Sequence, residues 1–244
     1  MNKHIPKGTR ILPELIPVVT LDGPSGSGKG TVSQFLAKRF GWHFLDSGAI
    51  YRVLAFAAIE KHIDPKDEPS LAILADNLDI QFKNIDDVWH IFSSGHNVTV
   101  AIRSEKCGEM ASLIAILPEV RAALLNLQRN FRQLPGLIAD GRDMGTVVFP
   151  DAAIKVFLTA TPTERAKRRY NQLQAQNLPA DVEKILTEIQ KRDARDENRI
   201  VAPLKPAEDA VIIDTTSLTI EEVAQKITDL LLHCHSRAGG NPVI

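Results

Sequence analysis

Nine residues, Gly23-Pro24-Ser25-Gly26-Ser27-Gly28-Lys29-Gly30-Thr31, constrain this chain more than any other stretch. They follow a short, β-branched apolar run, Val18 to Asp22, and precede a segment with Val32, Phe35 and Leu36 on one helical face. A buried strand, a glycine-rich turn and a helix N-terminus together form a phosphate cradle. Backbone N–H groups converge on phosphate oxygens, the helix end adds positive potential, and Lys29 is placed to reach the β- and γ-phosphates. The run matches the G-x-x-x-x-G-K pattern through Lys29, but the next position, where the pattern has a magnesium-binding Ser or Thr, is Gly30, with Thr31 one place later. An ordinary glycine turn between strand and helix is the plain alternative.

A cradle of this kind sits at the carboxyl end of a strand in a mostly parallel sheet, and the rest of the chain reads accordingly. Helices are predicted over Lys29–Arg39, closed by Gly41, and over Gly48–His62, with a short strand at His43–Leu45 between them. Residues 64–69 read as a polar, hinge-like linker. Asp79–Lys83, Val88–Phe92 and Asn97–Val100 read as three short strands joined by tight polar turns. Strands with no helix between them indicate a small antiparallel insertion, spanning about 64–103. Helical patterns return at Glu105–Leu117 and at Glu119–Gln133, the second opened by Pro118. Leu137–Ala139 and Ile154–Leu158 have buried-strand character, Thr163–Gln176 and Asp181–Asn198 are charged helices, and Ala210–Ile213 and Ile220–Leu232 form a last strand and helix. Ser236–Ile244, with Gly239, Gly240 and Pro242, reads as a frayed tail.

Composition narrows the setting. With 244 residues, 44% apolar and 24% charged, the chain suits one α/β domain with a small inserted lobe and excludes wholesale disorder. The longest unbroken apolar stretch, Val53–Ile59, falls well short of the ~20 residues of a membrane-spanning helix. Lys3, Lys7 and Arg10 precede an apolar stretch that Pro13, Glu14 and Pro17 interrupt, which argues against a signal peptide. Cys107 and Cys234 fall in different helices with no metal spacing, so a reducing, cytoplasmic location is expected. A net charge of -1 gives no reason to expect nucleic acid or a membrane surface as partner.

A second polar loop, Asp140-Gly141-Arg142-Asp143-Met144-Gly145, follows another buried strand. In an open parallel sheet such loops gather at the carboxyl ends of the strands, so Arg142 and Asp143 are expected near the phosphate loop. Asp140, ending the strand, is a candidate to hold Mg2+ through a water; turn formation alone would also account for Asp140 and Asp143.

Taken in order, Gly23–Thr31, Leu45-Asp-Ser-Gly-Ala-Ile-Tyr-Arg52, Ile138-Ala-Asp-Gly-Arg-Asp-Met-Gly145 and Arg192-Asp-Ala-Arg-Asp-Glu-Asn-Arg199, followed by Ala202-Pro203, resemble the bacterial cytidylate kinase family. The similarity runs from about Val18 to Leu232, leaving an N-terminal extension (1–16) and a tail (234–244) outside a single kinase domain (17–233). The departure at Gly30 is likewise typical of nucleoside-monophosphate kinases. The resemblance implies a P-loop fold with a five-stranded parallel core, a nucleotide-binding lobe carrying a small antiparallel sheet, and a short helical lid at about 162–182. It also implies γ-phosphoryl transfer from ATP, with Mg2+, to CMP or dCMP, by a chain that acts as a monomer.

The same resemblance assigns residues. Ser47 and Arg52 match positions that handle the acceptor, although Ser47 also suits a helix N-cap and Arg52 a solvated face. Ser112, Arg121 and Asp143 match the readers of cytosine; a carboxylate suits the exocyclic amine, and a UMP carbonyl in its place would set lone pair against lone pair. Arg142 and Arg199 match arginines on the transferred or acceptor phosphates, with Lys29 the third catalytic cation, while Arg192 and Asp196 match positions near the sugar. Residues 192, 196 and 199 are four and three apart and share one helical face, where weak surface ion pairs are the alternative. Arg165 and Arg169, in the densest basic run, are the lid pair expected to close over ATP phosphates, because the cluster offers no stability motive at a helix N-terminal half.

Overall fold

The strand before the phosphate loop lies at the centre of the molecule. In the computed structural model, which describes residues 16–199 and 201–237, β1 (Val18–Asp22) is buried at every position. It pairs in parallel with β6 (Leu137–Gly141) on one side and β7 (Ile154–Thr159) on the other. With β2 (His43–Asp46) and β8 (Val211–Asp214) the sheet order is β2-β6-β1-β7-β8. Side-chain alternation builds the two layers around it. Val18, Leu137 and Ala139 face a core shared with α2 (Ser47–Glu60), α3 (Glu68–Asp76), α4 (Glu105–Ile114) and α5 (Pro118–Arg129). Val19, Leu21 and Ile138 face the opposite core, made with α1 (Lys29–Phe40) and α8 (Ile220–Arg237). The two neighbours of β1 come from later in the chain, so its carboxyl end opens onto a crevice, the usual ligand position in such sheets. α6 (Pro162–Ala175) and α7 (Val182–Glu197) pack on each other beyond that end.

A separate antiparallel sheet of β3 (Ile80–Ile85), β4 (Val88–Ser93) and β5 (His96–Asn97) occupies the expected insertion. The third strand is shorter than the sequence suggested. Thr99 Oγ1 accepts the Ile91 N–H at 2.8 Å and donates to Asn97, so side chains replace the ladder there. The chain then enters a single 3-10 turn, Ala101–Arg103. α3 was not expected at all: residues 64–69 read as linker, yet Asp67 caps this helix by accepting the Ser70 N–H, and Pro69 stands in its first turn. Glu68 then accepts the Glu119 N–H at 2.8 Å and so ties α3 to the start of α5. α4 stops at Ile114 because Leu117, preceding Pro118, is extended. Asp46, not Ser47, caps α2, accepting the Ala49 N–H at 2.9 Å.

Of the expected N-terminal extension only Ile16 is described; of the expected tail only 234–237 are, and they continue α8 beyond Leu232 to Arg237. Among the described residues no single helix is long and apolar enough to cross a membrane.

Aromatic rings join the small sheet to the core. Phe44 on β2 meets Trp89 at 5.0 Å and Phe82 at 5.7 Å between centroids, and Phe82 meets Phe131 at 5.4 Å. Beside them lies an open groove of about 560 Å³ whose lining includes no residue of the phosphate loop. Phe44 takes part in two of these three contacts, one with each of two strands of the small sheet, and is only 3% exposed. Phe44→Ala is expected to cost ~3–5 kcal/mol of stability, read as a fall in the urea midpoint. A loss under ~1 kcal/mol would show that the junction contributes little.

Candidate active site

The phosphate loop takes its shape from backbone conformations that the glycines permit. Gly23 has φ 144°, and a Cβ there would stand 2.0 Å from the Leu158 carbonyl oxygen, so only glycine fits between β1 and β7. At Gly30 a Cβ would stand 3.2 Å from Asp140 Oδ2. The absent side chain lets the start of α1 approach the carboxylate that ends β6, which is a physical reason for the departure from the Ser/Thr pattern.

Lys29 is 6% exposed, donates to the Pro24 carbonyl at 3.0 Å and lies 3.9 Å from Asp140 Oδ1. Burial first, then the nearby Arg142, lowers its pKa to about 8. Burial also raises Asp140, to about 7, with Lys29 opposing and Asp46 reinforcing the rise. Each charge is therefore held at a cost, in a place where a polyanion and its metal would relieve it.

A cleft of about 220 Å³ opens beside this pair. Ser25, Lys29, Ser47, Arg52, Ser112, Arg121, Asp140, Arg142, Asp143, Arg192 and Arg199 all line it, although they come from six separate segments of the chain. At one end Asp143 Oδ2 accepts from Arg121, which also donates to the Ala115 carbonyl at 3.3 Å and to Tyr51 Oη at 3.4 Å. Burial pushes the Tyr51 hydroxyl up to about 12, against the pull of Arg121. Arg52 donates to the Ile102 carbonyl at 3.0 Å, and its guanidinium lies 3.1 Å from where a Cβ on Gly108 would stand.

Asp196 is the hub of the arginines but does not line the cleft itself. It is 1% exposed; Oδ2 accepts from Arg142 Nε at 3.0 Å and Oδ1 from Arg199 Nη2. Burial alone would raise this carboxyl, but Arg142 and Arg199 outweigh it and hold it below the usual range. Arg192 has no such partner for its buried Nε, and Arg199 Nε is likewise unpaired. Burial and then Arg142 lower Arg192 to about 10. Cations thus outnumber carboxylates in a shielded place, the arrangement that phosphate groups satisfy.

The expected lid pair divides. Arg169 is exposed and donates to Gln172 at 2.9 Å. Arg165 is a correction: it is 3% exposed and donates to Asp193 Oδ1, to the Ser25 carbonyl and to the Ala160 carbonyl, each at 3.0 Å. The basic run has a stability motive after all, since Arg165 braces α6 and α7 against the phosphate loop and Arg168 pairs with Glu164 at 3.1 Å. Sequence reading also missed Asp22, whose carboxylate accepts the N–H groups of Met144 and Gly145, both at 2.8 Å. Burial raises it to about 6, against these backbone bonds. An acid at the end of a wholly buried, mostly apolar strand was the available signal.

Magnesium can be tested on the donor set. Asp140 and Asp46 are oxygen donors at the mouth of the phosphate loop, and their mutual repulsion contributes to the raised value of Asp140. No group of three or more His, Cys, Asp or Glu side chains that could enclose a metal occurs among the described residues. Asp140 and Asp46 are the one or two carboxylates that an ion held largely by phosphates and water would use.

A family model described as cytidylate kinase matches residues 19–233. A cytidylate kinase of Aeromonas salmonicida (strain A449) is 57% identical over 212 residues, covering 87% of this chain and 92% of that protein. Those of Stutzerimonas stutzeri (strain A1501) and Proteus mirabilis (strain HI4320) are 56% and 55% identical, each over 87% of this chain and over 93% and 94% of the relative.

The raised carboxyl of Asp140 has a signed consequence. A group whose folded value exceeds its unfolded value of 3.8 stabilises the fold fully below about pH 4 and loses that contribution as pH rises through about 7. Asp140→Asn escapes this loss, so its stability relative to the unsubstituted protein should climb by on the order of 2 kcal/mol between about pH 4 and pH 8. Chemical denaturation at several pH values measures the gap. A gap that narrows with rising pH would mean that Asp140 is better satisfied as an anion than its surroundings imply.

Proposed function

The chain belongs to the cytidylate kinase family, and we propose that it transfers the γ-phosphoryl group of ATP to CMP, giving CDP and ADP. The observation that carries this reading is the division of the one cleft. Lys29 and the phosphate loop line one part of it, the Arg121–Asp143 pair another, and Arg142, Arg192 and Arg199 line it as well. A phosphate donor, an acceptor phosphate and a base have separate, chemically matched walls.

In the step itself an oxygen of the CMP phosphate forms a bond to the γ-phosphorus as the bond from that phosphorus to the β–γ bridging oxygen breaks. The bridging electron pair leaves with ADP. The attacking phosphate is already anionic near neutral pH, so the protein supplies position and charge rather than a base. Lys29, Arg142 and Arg199 stabilise charge on the transferring group, and Asp196 fixes the direction of the two arginines through its two oxygens. Asp140, with Asp46 beside it, would hold a Mg2+ ion through water, and the ion would supply positive charge to the phosphates of ATP.

Asp143 accepts from the cytosine amine while Arg121 and Ser112 address the ring nitrogen and carbonyl. dCMP is accepted by the same walls, with Arg192 nearest the sugar and Asp196 behind the arginines, Ser47 and Arg52 on the acceptor side, and Arg169 contributed from α6. A monomer in a reducing, cytoplasmic setting goes with the reading.

ADP release from Mg-ATP, with CMP, dCMP, UMP, AMP and GMP offered separately, tests the function. CMP and dCMP should exceed the others in kcat/KM by at least ~10²-fold. Turnover of none of them by folded protein that binds ATP would favour an ATP-dependent switch instead, and preference for another acceptor would mark a kinase of different substrate. Lys29→Met should lower kcat by at least ~10²-fold while leaving the thermal midpoint unchanged or higher, because it removes a buried charge at nearly constant volume. Asp143→Ala should lose most activity together with the preference for CMP over UMP; unchanged selectivity would assign base reading to another residue.

A further inference from the structure

Gln128 stands on the buried stripe of α5, in register with Val120 and Leu124 at four-residue intervals. It is 3% exposed and does not line the cleft. A polar amide in this place needs a partner, and its partner is a residue of the site: Ser47 donates its hydroxyl hydrogen to Gln128 Oε1 at 2.8 Å, in a buried bond. Ser47, at the first turn of α2, does line the cleft.

A serine hydroxyl has one hydrogen and two lone pairs. With the hydrogen committed to Gln128, only lone pairs remain for a ligand. The Asp143 carboxylate, paired with Arg121 through Oδ2, is also an acceptor toward anything in the cleft. We infer that Gln128 is a positioning residue for base selection: by holding the Ser47 hydrogen it makes Ser47 a second acceptor, beside Asp143, for the exocyclic amine of the pyrimidine. The inference rests on the CMP kinase reading above. A ring amine carries two N–H donors, and two acceptors match them. A carbonyl in the same place would present lone pairs to both, and unless Ser47 could turn its hydrogen around, neither contact would form. Gln128 prevents that turn.

The test uses the full chain and the ratio of kcat/KM for CMP to that for UMP. Gln128→Met keeps the volume but removes the acceptor, freeing the Ser47 hydroxyl to donate to a uracil carbonyl. The ratio should fall about tenfold, with UMP use rising in absolute terms. Gln128→Glu restores an acceptor and should return the ratio to within about threefold of the original. Ser47→Ala should lower the ratio too, and adding Gln128→Met to it should change the ratio no further. An unchanged ratio in Gln128→Met overturns the inference, as does an equal loss for both substrates, which a purely structural role would give. Should the Met variant fail to fold, an unchanged ratio in Ser47→Ala overturns it equally. These outcomes all leave CMP turnover by the unsubstituted protein intact, whereas absence of that turnover would overturn the function itself.

Discussion

One buried carboxylate sets the geometry on which the site depends. Asp22 ends β1, immediately before the phosphate loop, and grips the N–H groups of Met144 and Gly145 just after β6. Strand pairing already places Asp22 beside Gly141. The two added bonds pin the next residues, so that Arg142 and Asp143 project from a short segment held at both ends. Met144 begins a five-residue π-turn, Met144–Val148, which returns the chain toward the core through Val148 and Phe149. Few arrangements let a donor-binding loop and an acceptor-reading loop share one rigid joint. This one does so because a carboxylate is the side chain that can accept two backbone donors at once.

Around that joint the electrostatics are deliberately incomplete. Lys29 and Arg192 are pushed toward losing their protons by burial, and Asp140 and Asp22 toward keeping theirs. A fold selected for stability alone would fill such a place with apolar side chains or with closed ion pairs. Where the pairs do close, they serve direction: Asp196 gives one oxygen to each of two arginines and leaves Arg192 Nε without an acceptor. The residual positive charge is what a nucleotide phosphate neutralises. Binding energy is thereby stored in the unliganded protein as an unsatisfied environment, available when charge moves between phosphates.

The sequence made the strands of the main sheet legible because each is a short apolar run bounded by turn residues, and it made the phosphate loop legible because its glycines are required in one place after another. Helix α3 escaped notice for the opposite reason. Its cap, Asp67, and its first-turn Pro69 belong to the same residue types that mark a linker, and only the packing of Leu71 and Ala75 into the core distinguishes the two. Arg165 reads as an unpaired cation when only its own run is considered; Asp193, which neutralises it, lies 28 residues away on another helix. The resemblance to a family named Ser112 and Arg121, which as isolated residues are unremarkable. Nothing local pointed to Gln128 except its polarity at a position where the spacing of Val120 and Leu124 calls for an apolar side chain.

On the proposed reading, these differences follow from how the two halves of the cleft would recognise their ligands. Phosphate is a diffuse, highly charged group that backbone N–H donors and any nearby cation can hold, so its loop is written as a compact pattern of glycines and one lysine. A base edge is a short array of donors and acceptors, and reading it requires that each protein group present the right one of its two faces. That choice is made by neighbours: Tyr51 and the Ala115 carbonyl hold Arg121, Arg121 holds Asp143, and Gln128 holds the hydrogen of Ser47. Such neighbours need only the right contact in space and leave no pattern along the chain. On the proposed reading, Ser47 and Asp143 lie inside the motifs, while Gln128 and Arg121, which orient them, lie outside.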